Sequence, residues 1–553
     1  MKKKQKVSDK FCEKHAPPAE LWPIREWNGI PELAYPDVMN CAAELLDSVI
    51  ESGAGDRVVF RFPDGEWTYT DLYETANRIA NVLVGELGVL PGNRVLLRGP
   101  NNPMLAACWF GVLKAGGVVV CTMPLLRERE LRWLADKAEV TLALSDTRFA
   151  DECEAAFMFH ADGTERSGAR VVHFNSDAHF SLEPMMRRHS AAFTNYLGPA
   201  DDTAIIAFTS GTTGEGKGTM HSHRDIMAIT DCFPRYVLKP SADDLFCGSP
   251  PLAFTYALGG LLLFPMRFGA SSLLLEQATP PHLIKAIEEF RPTVCFTAPT
   301  AYRAMCGMIA DHDVSSLRKC VSAGETLPLS VFEAWREATG LSIIDGIGAT
   351  EMLHIFISAS GDEIRPGATG KVVPGYKARV VDDDMNDVPV GTVGKLAVIG
   401  PTGCRYLDNI EQQRKYVRDG WNLTGDSYKL DEDGYFWYQA RTDDMIISGG
   451  YNIAGPEVEN VLLEHAAVLE CAVVGEPDVE RGHLVKAFIV LRPGFETEAS
   501  LVKELQTFVK ERIAPYKYPR AVEFCETLPR TSTGKLQRYR LRGGDASQSG
   551  GTR

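Results

Sequence analysis

Two hydrophobic rhythms alternate along most of the chain. Short apolar runs at Arg57 to Phe62, Arg94 to Arg98, Gly117 to Cys121 and Thr141 to Ser145 predict buried strands. Between them, at Tyr69 to Leu87, Met104 to Ala115 and Glu128 to Ala138, apolar residues return at helical spacing. Such alternation predicts βαβ units and parallel sheets. It continues through a strand at Thr203 to Phe208 and, past residue 240, strands at Ser271 to Glu276, Thr293 to Thr297, Lys319 to Ser322 and Ser342 to Asp345. An aromatic, proline-rich lead (Pro17 to Pro36) and a helix-like run (Val38 to Ile50) precede this body. Around Tyr376 to Gly400, short strands broken by Asp382 to Asn386 and by glycines predict a smaller β-rich subdomain. Past Arg441 a second unit begins, with helices at Pro456 to Glu464 and Leu501 to Arg512 and strands at Leu469 to Val474 and Val485 to Leu491.

The pattern gives an α/β protein in two parts. Residues 1–442 form a large N-terminal domain with parallel-sheet βαβ subdomains and the small β-rich subdomain. Residues 443–542 form a small α+β C-terminal domain, and the Gly/Ser-rich residues 543–553 read as a disordered tail. At 553 residues the chain exceeds what one core usually supports.

Composition is that of an ordinary soluble globular protein, 45% hydrophobic and 24% charged. A net charge of −15 argues against binding to nucleic acid or to anionic membranes. Anionic ligands must then be held by local donors. The 13 cysteines include no C-x-x-C pair, the usage of reduced thiols in a cytoplasmic protein. No apolar signal core follows the basic start, and the apolar stretch Met104 to Met123 is broken by Lys114 and glycines, so no membrane span is expected.

Those donors are concentrated after the strand ending at Phe208. Thr209, Ser210, Gly211, Thr212, Thr213 and Gly214 lead through Glu215 and Gly216 to Lys217. Glycines let backbone N–H groups approach an anion, hydroxyls add donors, and the lysine supplies a point charge suited to phosphate. The segment nearly fits the P-loop pattern G-x-x-x-x-G-K-[ST], but Gly218 occupies the place of the hydroxyl that would hold Mg²⁺. A strand and turn are predicted to follow the lysine, where a P-loop would start a helix.

The loop instead resembles the Ser/Thr-rich signature of the acyl-adenylate-forming superfamily of acyl- and aryl-CoA ligases, luciferases and peptide-synthetase adenylation domains, with Gly216 where proline is usual. The resemblance spans nearly the whole chain. Lys319 to Leu327, with Gly324 and Glu325, resembles the segment passing adenine and the acyl pocket. Asp345 to Glu351, with Gly348, Ala349, Thr350 and Glu351, resembles the Y-G-x-T-E signature, implying that Thr350 contacts phosphate and Glu351 holds Mg²⁺; Asp345 stands where an aromatic is commoner. Asp426 of Thr-Gly-Asp would accept from the ribose hydroxyls, and Arg441 would contact the nucleotide. Asp443 would be the hinge that makes the small α+β C-terminal domain mobile, Gly449 and Gly450 would line the coenzyme A channel, and Lys535, in Pro529 to Lys535, would be the catalytic lysine beside Lys217.

Glu351 to Ser358 and Pro251 to Gly260 resemble stretches of benzoate-type CoA ligases, and Gly403 to Leu407 and Tyr438 to Pro456 resemble 2-aminobenzoate–CoA ligases in particular. The likeness implies a pocket lined by Phe254, Tyr256, Gly324, His354 and Ile355 for a small aromatic carboxylic acid. His221 and His223 mimic part of a metal motif whose partners are missing. The implied activity uses ATP, Mg²⁺ and coenzyme A; a homodimer is compatible with it. A stand-alone enzyme loading a carrier protein, and a nucleotide-binding homologue without catalysis, are the alternatives.

Overall fold

The computed structural model describes residues 9–209, 216–448, 451–478, 481–530 and 536–542. Among them, two sheets dominate the N-terminal part. One has six strands, in the order 217–222, 203–209, 118–122, 94–98, 142–146 and 170–174. All neighbours in it are parallel except the first pair, which is an antiparallel hairpin. The other has nine strands, with a parallel centre running through 343–348, 319–322, 294–297, 245–248, 271–273 and 58–62. Antiparallel strands close it on both sides.

Local chemistry explains the helices between these strands. Tyr69–Gly85 starts at a capping box in which Thr68 and Asp71 satisfy each other's backbone N–H groups. Pro103–Lys114 starts with Asn102 as its cap and Pro103 in the first turn, and every one of its residues is buried. That helix lies inside the large core, so its apolar residues run all round it.

Two segments differ from the pattern reading. Val38 to Ile50 is not one helix: Val38–Met39 is a short strand, and helical backbone resumes only past Asn40. The Asn40 side chain donates to the Leu113 and Tyr196 carbonyls and accepts from the Ala42 N–H, which fixes the chain there in a non-helical turn. The expected turn after Met220 is a helix start. Ser222 and Asp225 form a capping box for His223–Asp231, so strand passes into helix with no intervening loop.

Strands 377–381, 393–399, 421–430, 417–418 and 436–441 build an antiparallel sheet where the smaller β-rich subdomain was expected. The small C-terminal domain carries a further five-stranded sheet and its own core, including Ile446, Val458, Leu462, Val485, Ile489 and Leu505. No helix among the described residues is long and apolar enough to cross a membrane.

Candidate active site

The hairpin Thr203–Thr209/Lys217–Ser222 pairs Thr209 with Lys217, so the base of the Gly-rich loop is a closed β-ladder. Ser210, Gly211, Thr212, Thr213 and Gly214 lie outside the described residues. Gly216 is tightly enclosed: a Cβ there would stand 2.8 Å from the Thr209 carbonyl and 3.2 Å from the Trp133 ring. Trp133 also meets Phe208 edge-on at 5.7 Å.

The strand leaving the loop is fastened to two other segments. On one side Thr219 bridges Tyr406, the Met220 N–H donates to the Arg405 carbonyl (2.9 Å), and the Leu407 N–H donates to the Gly218 carbonyl (2.8 Å). On the other, His221 Nε2 donates to the Thr350 carbonyl at 2.8 Å. Burial lowers the His221 pKa to about 4, so the ring is a neutral Nε2–H donor. Of the neighbours in its His-x-His-x-Asp run, His223 pairs with Cys41 and Asp225 with Arg25.

Both fastenings converge on one acidic turn. The strand Ile343–Gly348 leads through Ala349 into the single turn Thr350–Met352. Gly348 is required by close approach, since a Cβ would lie 2.9 Å from the His354 backbone. Glu351 Oε1 accepts a 2.6 Å hydrogen bond from the buried Tyr406 hydroxyl. Burial and then the Glu351 charge push the Tyr406 pKa well up, so the phenol stays a donor. Tyr406 was not among the expected site residues. It lies 55 positions from Glu351, and the two are brought together by the pairing of its segment with the loop strand and by the Thr402 hydroxyl donating to the Met352 carbonyl.

Asp426 and Arg441 are cross-strand partners on neighbouring antiparallel strands. Asp426 Oδ1 and Arg441 Nη1 are 3.0 Å apart, and Arg441 also donates to the Thr424 carbonyl at 3.2 Å. Gly425, at φ +78°, lets the guanidinium cross: a Cβ would stand 2.7 Å from Arg441 Nη2. The carboxylate is buried and the arginine half-exposed, so an accessible cation stands beside a sheltered acid.

Of the expected acyl-pocket residues, Tyr256 and His354 pack together. Tyr256 donates to the Val321 carbonyl (3.0 Å) and, longer, to that of Thr297 (3.3 Å). Phe254 is half-buried, and Gly324 is exposed at φ +88° just past the strand Lys319–Ser322. Ile355 is buried in the core. His354 is buried as well, its ring 4.5 Å from that of Phe264 and 5.8 Å from that of Tyr256, and its Nε2 donates to the Tyr256 carbonyl. Burial lowers its pKa to about 3, so the ring is neutral. Asp345, at the place of the usual aromatic, has its Oδ1 enclosed without a hydrogen-bond partner, and burial raises its pKa to about 7.

Glu325 is half-buried and faces Arg530 across 3.8 Å. Arg530 bridges Leu536 in an isolated β-pair, so the described residues on either side of 531–535 are joined. Lys535, Gly449 and Gly450 lie outside the described residues, as does the Asp443 side chain.

Comparison with known proteins decides the family. The profile of the AMP-binding enzyme family matches residues 49–405, and that of the AMP-binding enzyme C-terminal domain matches 457–535. The chain belongs to the AMP-binding enzymes. It is thus a member of the acyl-adenylate-forming superfamily, of the benzoate type, and an AMP-forming acid–thiol ligase. It is 33% identical to the benzoate–CoA ligase of Thauera aromatica over 525 residues, covering 93% of this chain and 98% of that one. The structure of the anthranilate CoA ligase AuaEII in complex with anthranoyl-AMP matches with a TM-score of 0.86 at 33% identity, over 93% of this chain and 98% of that one. A benzoate CoA ligase from Burkholderia xenovorans LB400 matches with a TM-score of 0.82 at 32% identity, over 91% and 100%.

Proposed function

We propose that this AMP-binding enzyme is an aryl-CoA ligase acting on an acid of the 2-aminobenzoate or benzoate type. In this reading a carboxylate oxygen of the aryl acid attacks the α-phosphorus of ATP and pyrophosphate leaves. The sulfur of coenzyme A then attacks the acyl carbon, AMP leaves, and the thiol proton is released. The observation that carries the reading is the Thr350–Glu351 turn, held by His221 of the loop strand on one side and by Tyr406 on the other, with His354 just beyond it bonded to the Tyr256 carbonyl. Aromatic and aliphatic surfaces with few polar groups accommodate a flat ring.

The roles divide by chemistry. Lys217, Thr350 and Lys535 offset charge on the phosphates, Asp426 accepts from the ribose, and Arg441 supports the nucleotide. Gly324 and Glu325 lie along the adenine and acyl path. Glu351 suits Mg²⁺, since Oε1 is held by Tyr406 and Oε2 takes no hydrogen bond from the described residues, and one carboxylate suffices for a hard cation shared with phosphates. Bound there, the ion would neutralise phosphate charge. Asp443, at a domain boundary between residues 442 and 443, is the pivot on which the small domain withdraws Lys535 and presents Gly449 and Gly450 to the thiol.

The test is a panel of benzoate, 2-aminobenzoate, hydroxylated benzoates and straight-chain acids, assayed for coenzyme A-dependent AMP release. A preference for 2-aminobenzoate or benzoate is expected. Greater kcat/KM on a straight-chain acid would overturn the aryl assignment, and absence of carboxylate-dependent ATP–pyrophosphate exchange would overturn the ligase chemistry.

A further inference from the structure

Four charged side chains of alternating sign run from the large domain to the base of the lysine-bearing loop. Arg303, on the helix Pro299–Cys306 of the large domain, donates from Nη2 to Glu470 Oε1 at 2.8 Å. Glu470 belongs to the small domain's strand Val468–Asp478, and its other oxygen, Oε2, accepts from Arg530 Nη2, also at 2.8 Å. Arg530 Nη1 then faces Glu325 Oε1, back on the large domain, at 3.8 Å. Arg303 Nη1 adds a long contact to the Leu469 carbonyl (3.4 Å). The side chains are only 17–31% exposed, so solvent screens them less than ordinary surface pairs.

Position gives this chain of charges its meaning. Arg530 pairs with Leu536, and the Gln537 N–H donates to the Pro529 carbonyl, so the segment carrying Lys535 is closed at its base by the residue that Glu470 grips. Glu325 sits just past the strand Lys319–Ser322, beside the exposed Gly324. The network therefore ties the base of that loop to the adenine side of the large domain. Neither family motif nor pocket chemistry requires an acid at 470; the geometry does, because one carboxylate satisfies an arginine from each domain. A rotation of the small domain that carried Lys535 away would separate Glu470 from Arg303 and Arg530 from Glu325.

We propose that Glu470 is a positioning residue for acyl-AMP formation, bridging Arg303 and Arg530 so that the small domain is held against the large one in the arrangement this step uses, and releasing Arg303 for the thioester step. The inference rests on the ligase reading above. The experiment separates the half-reactions in the full-length enzyme. Acyl-AMP formation is followed by ATP–pyrophosphate exchange, and thioester formation is followed from supplied acyl-AMP and coenzyme A. Glu470→Gln keeps size and shape while removing the charge.

Its acyl-AMP formation should fall about 10-fold, as loss of a partly shielded charge network permits, with thioester formation within about 2-fold of wild type. Arg303→Ala, made on the other domain, should give the same split, and Arg303→Lys should recover part of it. The double variant should be no worse than Glu470→Gln alone, because Arg303→Ala removes a link that the loss of the Glu470 charge has already broken. Raising salt should slow acyl-AMP formation in wild type more than in Glu470→Gln. Equal losses in both half-reactions, no loss in either, or fully additive losses would each overturn the proposal. Absence of exchange in the wild type would refute the ligase reading, and not this one.

Discussion

Tyr406→Phe removes one oxygen and leaves the rest of its surroundings in place. The ring keeps its edge contact with Tyr416 at 5.8 Å, and the Tyr406 N–H keeps its 2.8 Å bond to Gln413 Oε1. Lost is the 2.6 Å hydrogen bond to Glu351, in which a neutral donor meets a carboxylate. Hydrogen bonds to charged groups contribute about 1.5–3 kcal/mol; Glu351 is half-buried and water can replace part of this, so about 1–2 kcal/mol is expected. That is a factor of about 5–30. It should appear as slower acyl-AMP formation and as a higher Mg²⁺ concentration for half-maximal exchange, as when a metal-ligating carboxylate loses its orienting partner. The assay is ATP–pyrophosphate exchange across a Mg²⁺ titration, with calorimetric titration of Mg·ATP as a readout independent of turnover. Unchanged Mg²⁺ dependence and unchanged exchange would refute the reasoning, since an oriented Glu351 is its central step.

Other perturbations read other parts of the structure. Lys535→Ala should abolish acyl-AMP formation while sparing thioester formation from supplied acyl-AMP; equal loss of both would refute the role assigned to the lysine. Gly216→Ala should destabilise the base of the hairpin by about 1–3 kcal/mol through overpacking, lowering the thermal midpoint. Adding Trp133→Leu should restore only part, because the Thr209 carbonyl 2.8 Å from the new Cβ is backbone. His221, His223 and His354 are neutral when folded, with pKa values of about 4, 4 and 3 against an ordinary 6.5, so the unfolded chain binds more protons below pH 6.5 and stability falls as pH drops through that window. Asp345, raised to about 7, acts in the opposite sense between about 4 and 7, leaving a net fall on acidification. His354→Leu should flatten the pH dependence of unfolding by up to about 1.4 kcal/mol per pH unit between 6.5 and 4. An unchanged slope would contradict the burial of that ring.

The alternation of strands and helices was legible because buried parallel strands read as continuous apolar runs, and most were anticipated to within a few residues. Val38 to Ile50 was misread because Asn40 draws partners from Leu113 and Tyr196, and periodicity cannot register contacts so distant in sequence. The helix at His223 was missed for a local reason: Ser222 and Asp225 form a capping box immediately after a strand, where a turn was expected. At the site, residue types named the chemistry, yet the parts that orient it were invisible. Glu470 carries no motif, and Tyr406 lies in one, Gly403 to Leu407, that points to the aryl acid and not to Glu351; each matters through a partner on a separate element.

Gly216 shows what a motif read alone leaves out. Against the family pattern its glycine looks like a softening of the phosphate loop, because glycine frees the backbone that proline would restrict. Folded, the position has little room: Trp133 lies over it and the Thr209 carbonyl stands behind it. The constraint that proline supplies through its ring is supplied here by an indole from the helix Glu128–Lys137, which also packs on Phe208 at the end of the preceding strand. Restoring proline would then add bulk against Trp133 and Thr209, so the residue that departs from the pattern and the tryptophan that fills the space act as one unit. The loop's anchorage is therefore a property of the hairpin base and its neighbour together, in the same way that Glu351 is aimed by a tyrosine distant in sequence.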